Sequence, residues 1–432
     1  MESVKGMFDI EIGFDVSTNE PIVLSEQARL LHEMIIGPTG SGLYSFTTLH
    51  QIKQDLKGIS RGGRAGLIVL DSRDDMIRDV SKECEALGLQ HINIIDFTRP
   101  APQLNINPFK GPARIVASNF KEILSHIMGD QDEYFRGNQD EFVTFCILLG
   151  KTRFGDSFDL PMLHRIMTET RYLSILVDEV RKYTDEFLDE EPARQEVMKI
   201  VEYFDNEVLN YQWSDDPFDQ RPISYPQGHK YEGMQVVLNR KETYIRGVKH
   251  LIGTILSHPD ISQILSSSEG GLELDVFLGS FLKKGGVLLV NSGESDVSTF
   301  MGQLLVHTLQ SAVFERSAFL AEVPVYLYIN DMKTYMNYGL IRLLTLGRSY
   351  KVGVVCSMKE LRDVDTDTDV FLSNVRNKVI YGGLNPDDLN RLSNKFQTPM
   401  TYEENRSLDF RHFVVDFVDE DLNAVQLRKA FI

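Results

Sequence analysis

Residues 37–44, which read GPTGSGLY, have the glycine spacing of a phosphate-binding loop. Loops of that kind read G-x-x-x-x-G-K-[ST] and join a strand to a helix, and Gly37 and Gly42 occupy the two glycine positions. Glycines there let backbone N–H groups turn inward around an anion, and the positive end of the next helix adds to the attraction. We therefore predict nucleotide contacts from the loop and the two residues after it: Gly37, Pro38, Thr39, Gly40, Ser41, Gly42, Leu43 and Tyr44.

The side chains that follow the loop do not match this chemistry. Leu43 occupies the lysine position and Tyr44 the position of the hydroxyl that binds magnesium. A charged hydrogen bond of the kind that lysine makes to phosphate is worth roughly 1.5–3 kcal/mol, and leucine has no donor. The tyrosine ring carries its hydroxyl too far out, and Ser45 lies on a different face of the helix. We predict that ATP binds weakly and that magnesium is not held.

Two further strands end in residues that weaken the case for hydrolysis. Residues 325–331, VYLYIND, form an apolar strand that ends in Asn330 and Asp331, where aspartate and then glutamate are expected. Asn330 carries no charge, and Asp331 is one methylene shorter than glutamate. A misplaced base can cost roughly 100-fold in rate. Met358, just after the strand at 352–357, replaces a polar sensor. Asp331 remains the candidate catalytic acid or base, and we predict that hydrolysis is weak or lost.

The elements around these residues predict an α/β fold with a mostly parallel sheet. The first hundred residues alternate strand and helix, and runs such as GLIVLD (66–71) are typical of buried parallel strands. Long amphipathic segments replace strands at 113–256, and 215–228 is a proline-containing loop. Strands return at 286–291, 323–330, 352–357, 377–382 and 412–417. We predict a core formed by 1–112 and 257–432 and an all-α insertion at 113–256.

Composition excludes several classes of protein. The 432 residues carry a net charge of −18, and no apolar run approaches the roughly 20 residues that a membrane span needs. The N-terminus is acidic and is no signal peptide, so we expect a cytoplasmic protein. Three separated cysteines indicate neither zinc nor disulfides. The charge argues against nonspecific DNA binding as the main property, but it leaves room for a local basic channel: Arg61, Arg64, Lys283, Lys284, Arg342 and Arg348.

Taken in order, the segments resemble those of the TraG/TraD-like coupling ATPases of conjugative type IV secretion, especially forms on mobile elements of Gram-positive bacteria. The similar segments are LHEMIIGPTGSG (31–42), IVLDSRDD (68–75), INIIDF (92–97), NINPF (105–109), FLKKGGVLLVNSG (281–293), LYINDM (327–332), LLTLGRSYKVGVVCSMKEL (343–361) and NVRNKVIYGGLNPDDLNRLSNKF (374–396). They cover most of the chain outside the helical insertion. Asp71 is retained at the end of its strand and joins Asn330 among the predicted nucleotide-binding residues.

The resemblance implies a RecA-like motor domain with an all-α domain, a hexamer, and transport of single-stranded DNA into a secretion channel. It also implies that Arg348 acts near the phosphate of a neighbouring subunit. Family members often carry N-terminal membrane helices, which this sequence lacks. We therefore expect no membrane insertion, and peripheral attachment to the inner face of the membrane through partners.

Three functions stay open. The first is a catalytically impaired homologue that serves as a structural or regulatory subunit in DNA transfer, in a homo- or hetero-hexamer or beside an active ATPase. The second is an active hexameric ATPase that translocates DNA, in which Asp71, Asp331 or Ser45 replaces the usual ligands and Lys53 or Lys333 supplies the charge. The third is a module that binds nucleic acid or protein cargo and reuses only the fold.

Overall fold

The computed structural model describes residues 6–90, 92–99, 104–187, 191–216, 218, 220–266, 272–318, 321–396, 399–418 and 427–432. The chain forms two compact units, Met1–Ala101 with Leu274–Ile432, and Pro102–Glu273. The described strands are β1 (Ile10–Asp15), β2 (Pro21–Leu24), β3 (Glu33–Ile36), β4 (Gly66–Asp71), β5 (Ile92–Asp96), β6 (Leu104–Asn105), β7 (Leu209–Tyr211), β8 (Val237–Asn239), β9 (Leu272–Glu273), β10 (Gly286–Asn291), β11 (Val325–Ile329), β12 (Val352–Met358), β13 (Asn377–Tyr381), β14 (His412–Asp416) and β15 (Arg428–Phe431).

Helices connect these strands and make up most of the second unit. The described α-helices are α1 (Glu26–Arg29), α2 (Leu49–Ser60), α3 (Asp74–Ala86), α4 (Ala113–Met128), α5 (Glu133–Phe154), α6 (Leu160–Thr168), α7 (Thr170–Phe187), α8 (Glu191–Tyr203), α9 (Glu242–Leu256), α10 (Pro259–Ile264), α11 (Leu274–Lys284), α12 (Asp296–Glu315), α13 (Met332–Tyr335), α14 (Tyr338–Leu346), α15 (Thr368–Asn374), α16 (Pro386–Ser393) and α17 (Tyr402–Arg406).

The first unit is built on one sheet, which in the described part of the chain has eleven strands in the order β2-β1-β15-β14-β13-β3-β12-β11-β4-β10-β5. The strands from β13 to β5 are mutually parallel, whereas β14, β15, β1 and β2 add antiparallel at one side. All six residues of β4 are buried, which explains their continuous apolar sequence. The prediction of an α/β fold with a mostly parallel sheet is confirmed.

A buried ion pair fixes α2 against the sheet. The Arg29 guanidinium donates to both carboxylate oxygens of Asp55 at 2.7 Å, and the Tyr328 hydroxyl donates to Asp55 at 2.7 Å. The guanidinium also lies 3.4 Å from the centroid of the Tyr326 ring. Because Asp55 is on α2 and both tyrosines are on β11, the helix that follows the phosphate-binding loop is held to the strand that ends in Asn330.

The second unit is predominantly helical, and among its described residues two short sheets also occur, β6 with β9 and β7 with β8. The unit is larger than the predicted insertion, since it also takes in 102–112 and 257–273. The Asn107 side chain donates to the Phe158 carbonyl at 2.9 Å, and the rings of Phe109 and Phe158 stack at 5.0 Å. Pro217, part of the predicted loop at 215–228, lies outside the described residues. Over the described ranges, no helix has both the length and the apolar character of a bilayer span.

Candidate nucleotide-binding site

The loop at 37–42 follows a strand and has left-handed backbone angles at two of its glycines. It leaves the end of β3, where the Gly37 N–H donates to the Met358 carbonyl at 3.2 Å. Gly40 and Gly42 have φ angles of 87° and 89°, a region that residues with a Cβ rarely adopt. A Cβ on Gly37 would lie 2.6 Å from the Cβ of Tyr381, so this approach also requires glycine. The backbone at these three positions therefore requires glycine.

The helix after the loop begins with a π-helical turn, Leu43–Thr48, and becomes α-helical at Leu49. Two hydroxyls of this turn are committed to neighbouring strands, since Thr47 Oγ1 lies 2.7 Å from the Tyr381 hydroxyl and Thr48 Oγ1 lies 2.8 Å from Ser357 Oγ. Ser45 is exposed. The sequence predicted a helix here, but a wider first turn was not foreseen. Such turns are often found at functional sites.

Leu43 and Tyr44 pack against the apolar core of the sheet. The Tyr44 hydroxyl donates to Asp79 Oδ2 on α3 at 2.9 Å. Burial and then this hydrogen bond raise the pKa of Tyr44 above its usual range, so the hydroxyl stays protonated. Tyr44 therefore links the start of the helix to α3, and Leu43 supplies no charge to the loop.

The carboxylates at the same edge of the sheet are held by protein donors. Asp71 accepts from the Asn330 side-chain amide at 3.0 Å and from the Met76 N–H at 3.2 Å. Burial raises the pKa of Asp71, and these hydrogen bonds partly oppose that rise. Asp331 Oδ2 accepts from the hydroxyls of Ser72 and Thr334 at 2.7 and 2.9 Å. The structure thus brings Asp71, Asn330 and Asp331 together at one edge of the sheet.

No group of three His, Cys, Asp or Glu side chains suited to hold a metal ion occurs among the described residues. The Asp71, Asn330 and Asp331 side chains offer oxygen atoms of the type that magnesium prefers. In this structure, however, the carboxylates of Asp71 and Asp331 accept hydrogen bonds from protein groups: the Asn330 amide and the hydroxyls of Ser72 and Thr334.

Arg348 lies far from the loop of its own chain. It is exposed and precedes β12, whereas Met358 ends β12 beside Gly37. The seven residues of β12 span about 23 Å at roughly 3.3 Å per residue. A phosphate at residues 37–42 would therefore lie out of reach of Arg348 of the same chain.

The six basic residues predicted as a channel fall mostly at this opposite edge. Arg61 and Arg64 precede β4, Lys283 and Lys284 precede β10, and Arg348 precedes β12; these three strands are parallel members of one sheet. All five are exposed. Arg342 is instead on α14, with its guanidinium 4.9 Å from the Phe314 ring centroid.

An aromatic group beside the loop was not predicted from the sequence. The Phe46 ring covers Gly42, where an added Cβ would come within 2.4 Å of the ring. The Phe410 ring meets Phe46 edge to face, with centroids 5.7 Å apart, and the Arg411 guanidinium lies 4.4 Å from the Phe46 centroid. Their wide separation in the chain left no local sequence signal. Asp79 and Ser72, which pair with Tyr44 and Asp331, were missed for the same reason. Thr334, three residues after Asp331, was also not predicted.

No protein-family model and no curated protein sequence matches the chain. Solved structures do match it. The bacterial conjugative coupling protein TrwBdeltaN70, in an unbound form, superposes with a TM-score of 0.54 at 12% identity over 98% of this chain and 89% of that one. TrwB in complex with ADP and Mg2+ gives 0.54 at 13% identity over 99% and 92%. VirB4 of Thermoanaerobacter pseudethanolicus gives 0.53 at 10% identity over 100% and 97%. The chain therefore has the RecA-like P-loop NTPase fold of TrwB and VirB4, and the resemblance to coupling ATPases is confirmed at the level of the fold.

Proposed function

We propose that this chain is a catalytically impaired subunit of a conjugative type IV secretion apparatus, with a structural or regulatory role in DNA transfer. The observation that carries the proposal is the replacement at the start of the helix: Leu43 packs on the core, and Tyr44 donates its hydroxyl to Asp79. A loop of this kind needs a cation and a metal-binding hydroxyl at those two positions to make a triphosphate reactive.

The retained glycine geometry supports weak nucleotide binding. Gly40 and Gly42 keep left-handed backbone angles. The N–H groups of Gly37 and Ser41 donate to backbone carbonyls, so those of Thr39, Gly40 and Gly42 are the ones that can reach phosphate oxygens. Loss of a charged hydrogen bond worth roughly 1.5–3 kcal/mol lowers affinity about ten- to a hundredfold. We expect ATP and ADP to bind with this reduced affinity. Magnesium should not increase the affinity, because Tyr44 offers no metal ligand.

The fold supports the choice of apparatus. One structural neighbour is a bacterial conjugative coupling protein, and a role in the same kind of apparatus is consistent with the shared fold. We propose that this chain works in the cytoplasm, held to the inner face of the membrane by partners, as part of a homo- or hetero-hexamer or beside an active ATPase homologue. Single-stranded DNA is the cargo that this role implies.

The alternative of an active translocase needs a cation near the loop. Lys53 is ten residues beyond Leu43, on the order of 15 Å along the helix. The Lys53 Nζ atom lies 3.1 Å from Glu83 Oε2, so this lysine forms an ion pair away from the loop. Lys333 is exposed on α13. Neither lysine supports the alternative, whereas the position of Asp331 beside Asp71 leaves a candidate base in place. The observation that favours the cargo-binding alternative is the set of exposed basic residues before β4, β10 and β12, which could contact nucleic acid.

ATP turnover by the purified chain tests the proposal. We expect no turnover above the background of an Asp331→Ala variant. The double variant Leu43→Lys with Tyr44→Thr should raise nucleotide affinity, because it returns the phosphate charge and the metal hydroxyl. Turnover by the unmodified chain that Asp331→Ala abolishes would contradict impairment and favour the active ATPase. Salt-sensitive binding of single-stranded DNA with no nucleotide effect would favour the cargo module.

A further inference from the structure

Phe46, Phe410 and Arg411 form an aromatic platform on one side of the phosphate-binding loop. Phe46 follows the loop within the π-helical turn, and the other two residues precede β14. Phe410 is 64% exposed, and its ring contacts that of Phe46, which lies against Gly42. The Arg411 guanidinium lies 4.4 and 5.7 Å from the two ring centroids and covers part of the same surface.

The platform and the acidic residues lie on opposite sides of the loop. β3, which leads into the loop, is bordered on one side by β12 and then β11, whose chain continues into Asn330 and Asp331. On the other side it is bordered by β13 and then β14, which follows Phe410 and Arg411. In P-loop sites the γ-phosphate points toward the acidic strand. The nucleoside end of a nucleotide bound here therefore points toward the platform.

Arg411 is held in a strained backbone conformation. Its φ angle is 67°, a region that costs a residue with a Cβ roughly 1–2 kcal/mol. The strained residue is fixed by hydrogen bonds on both sides, from the His412 N–H to the Asp409 carbonyl at 3.0 Å and from the Ile432 N–H to the Arg411 carbonyl at 3.3 Å. Strain of this kind concentrates at ligand sites.

We propose that Phe410 and Arg411, supported by Phe46, bind the purine base of a nucleotide whose phosphates lie over residues 37–42. The proposal rests on the proposed function in one respect, namely that the loop still binds nucleotide. Aromatic rings and guanidinium planes both stack on bases, and the adjacent loop supplies the phosphate contacts. Base stacking thereby contributes a larger share of affinity in this chain than in a loop that has its lysine.

Base-free and base-containing ligands separate the two parts of the site. ADP binding is measured by calorimetry and by saturation-transfer NMR, which detects millimolar binding, and pyrophosphate serves as the base-free probe. Phe410→Ala should weaken ADP binding roughly 5- to 100-fold and leave pyrophosphate binding unchanged. Arg411→Gly should weaken ADP binding several-fold without loss of thermal stability, because glycine tolerates the positive φ angle. GDP should respond as ADP does.

Tyr402→Ala is the matched control, since this ring is exposed on α17 outside the platform. It should leave both ligands unaffected. Unchanged ADP affinity in Phe410→Ala would overturn the proposal, as would an equal loss for pyrophosphate or no ADP binding by the unmodified chain. These outcomes are independent of ATP turnover. A chain that hydrolyses ATP and loses affinity in Phe410→Ala would keep the platform and refute impairment.

Discussion

Glu33, the first residue of β3, makes the stability of the first unit depend on pH. Its side chain is buried, with one oxygen accepting from the Gln51 amide at 2.7 Å and the other unpartnered among the described residues. Burial raises the pKa of Glu33 from 4.5 to about 7. Because the folded state holds this proton more tightly than the unfolded state, stability is fully present below about pH 4.5 and is lost as pH rises to about 7.

The size of the effect follows from that shift. Each pKa unit corresponds to about 1.4 kcal/mol, so ionising Glu33 costs on the order of 3 kcal/mol above pH 7. Glu33→Gln removes the charge and keeps an acceptor for Gln51. At about pH 8 the variant should therefore melt roughly 5–10 °C above the unmodified chain. At about pH 4.5 the variant and the unmodified chain should have the same melting temperature.

Thermal unfolding of both proteins, followed by circular dichroism from about pH 4.5 to 8.5, measures the difference. Glu20→Gln is a suitable control, since Glu20 is exposed and its replacement should give no pH-dependent gain. A melting difference between Glu33→Gln and the unmodified chain that does not change with pH would refute the reasoning. So would a variant that is less stable at about pH 8.

Three other predictions concern the loop and its support. Asp55→Asn should destabilise the first unit by about 3–5 kcal/mol in urea titrations, since it leaves the Arg29 guanidinium buried without its counter-charge; a loss below about 1 kcal/mol would contradict this. Tyr44→Phe should cost about 0.5–1.5 kcal/mol and leave any ATP turnover unchanged, because its hydroxyl is engaged with Asp79; a change in turnover would give that hydroxyl a chemical role. Gly42→Ala should cost at least about 1 kcal/mol more than Gly40→Ala, because only Gly42 has a ring against it; equal losses would mean that Phe46 does not press on the loop.

Buried parallel strands could be predicted from the sequence. β4 and β10 have the predicted bounds because both faces of a central strand are covered, which gives a continuous apolar run. β5 also has the predicted bounds, although it lies at the edge of the sheet and is only partly buried. β1, β2 and β15 were not predicted. β2 and β15 have four residues each, and their partly exposed patterns lack such a run.

Part of the candidate site could likewise be predicted from the sequence, and part could not. The loop and the ends of β4 and β11 could be located, since each follows a strand whose apolar sequence stands out. The π-helical turn could not, because six residues are too few for its wider hydrogen-bond spacing to change the apolar pattern. Phe410 and Arg411 approach Phe46 only through the pairing of β14 with β13. That pairing depends on tertiary structure.

Calorimetric titration of ATP into the purified chain, with and without magnesium, tests the central claim most directly. The claim is that the loop keeps its glycine geometry but has lost the cation and the metal-binding hydroxyl. We predict weak binding with the same affinity in both titrations. Micromolar binding that appears only when magnesium is present would contradict the claim.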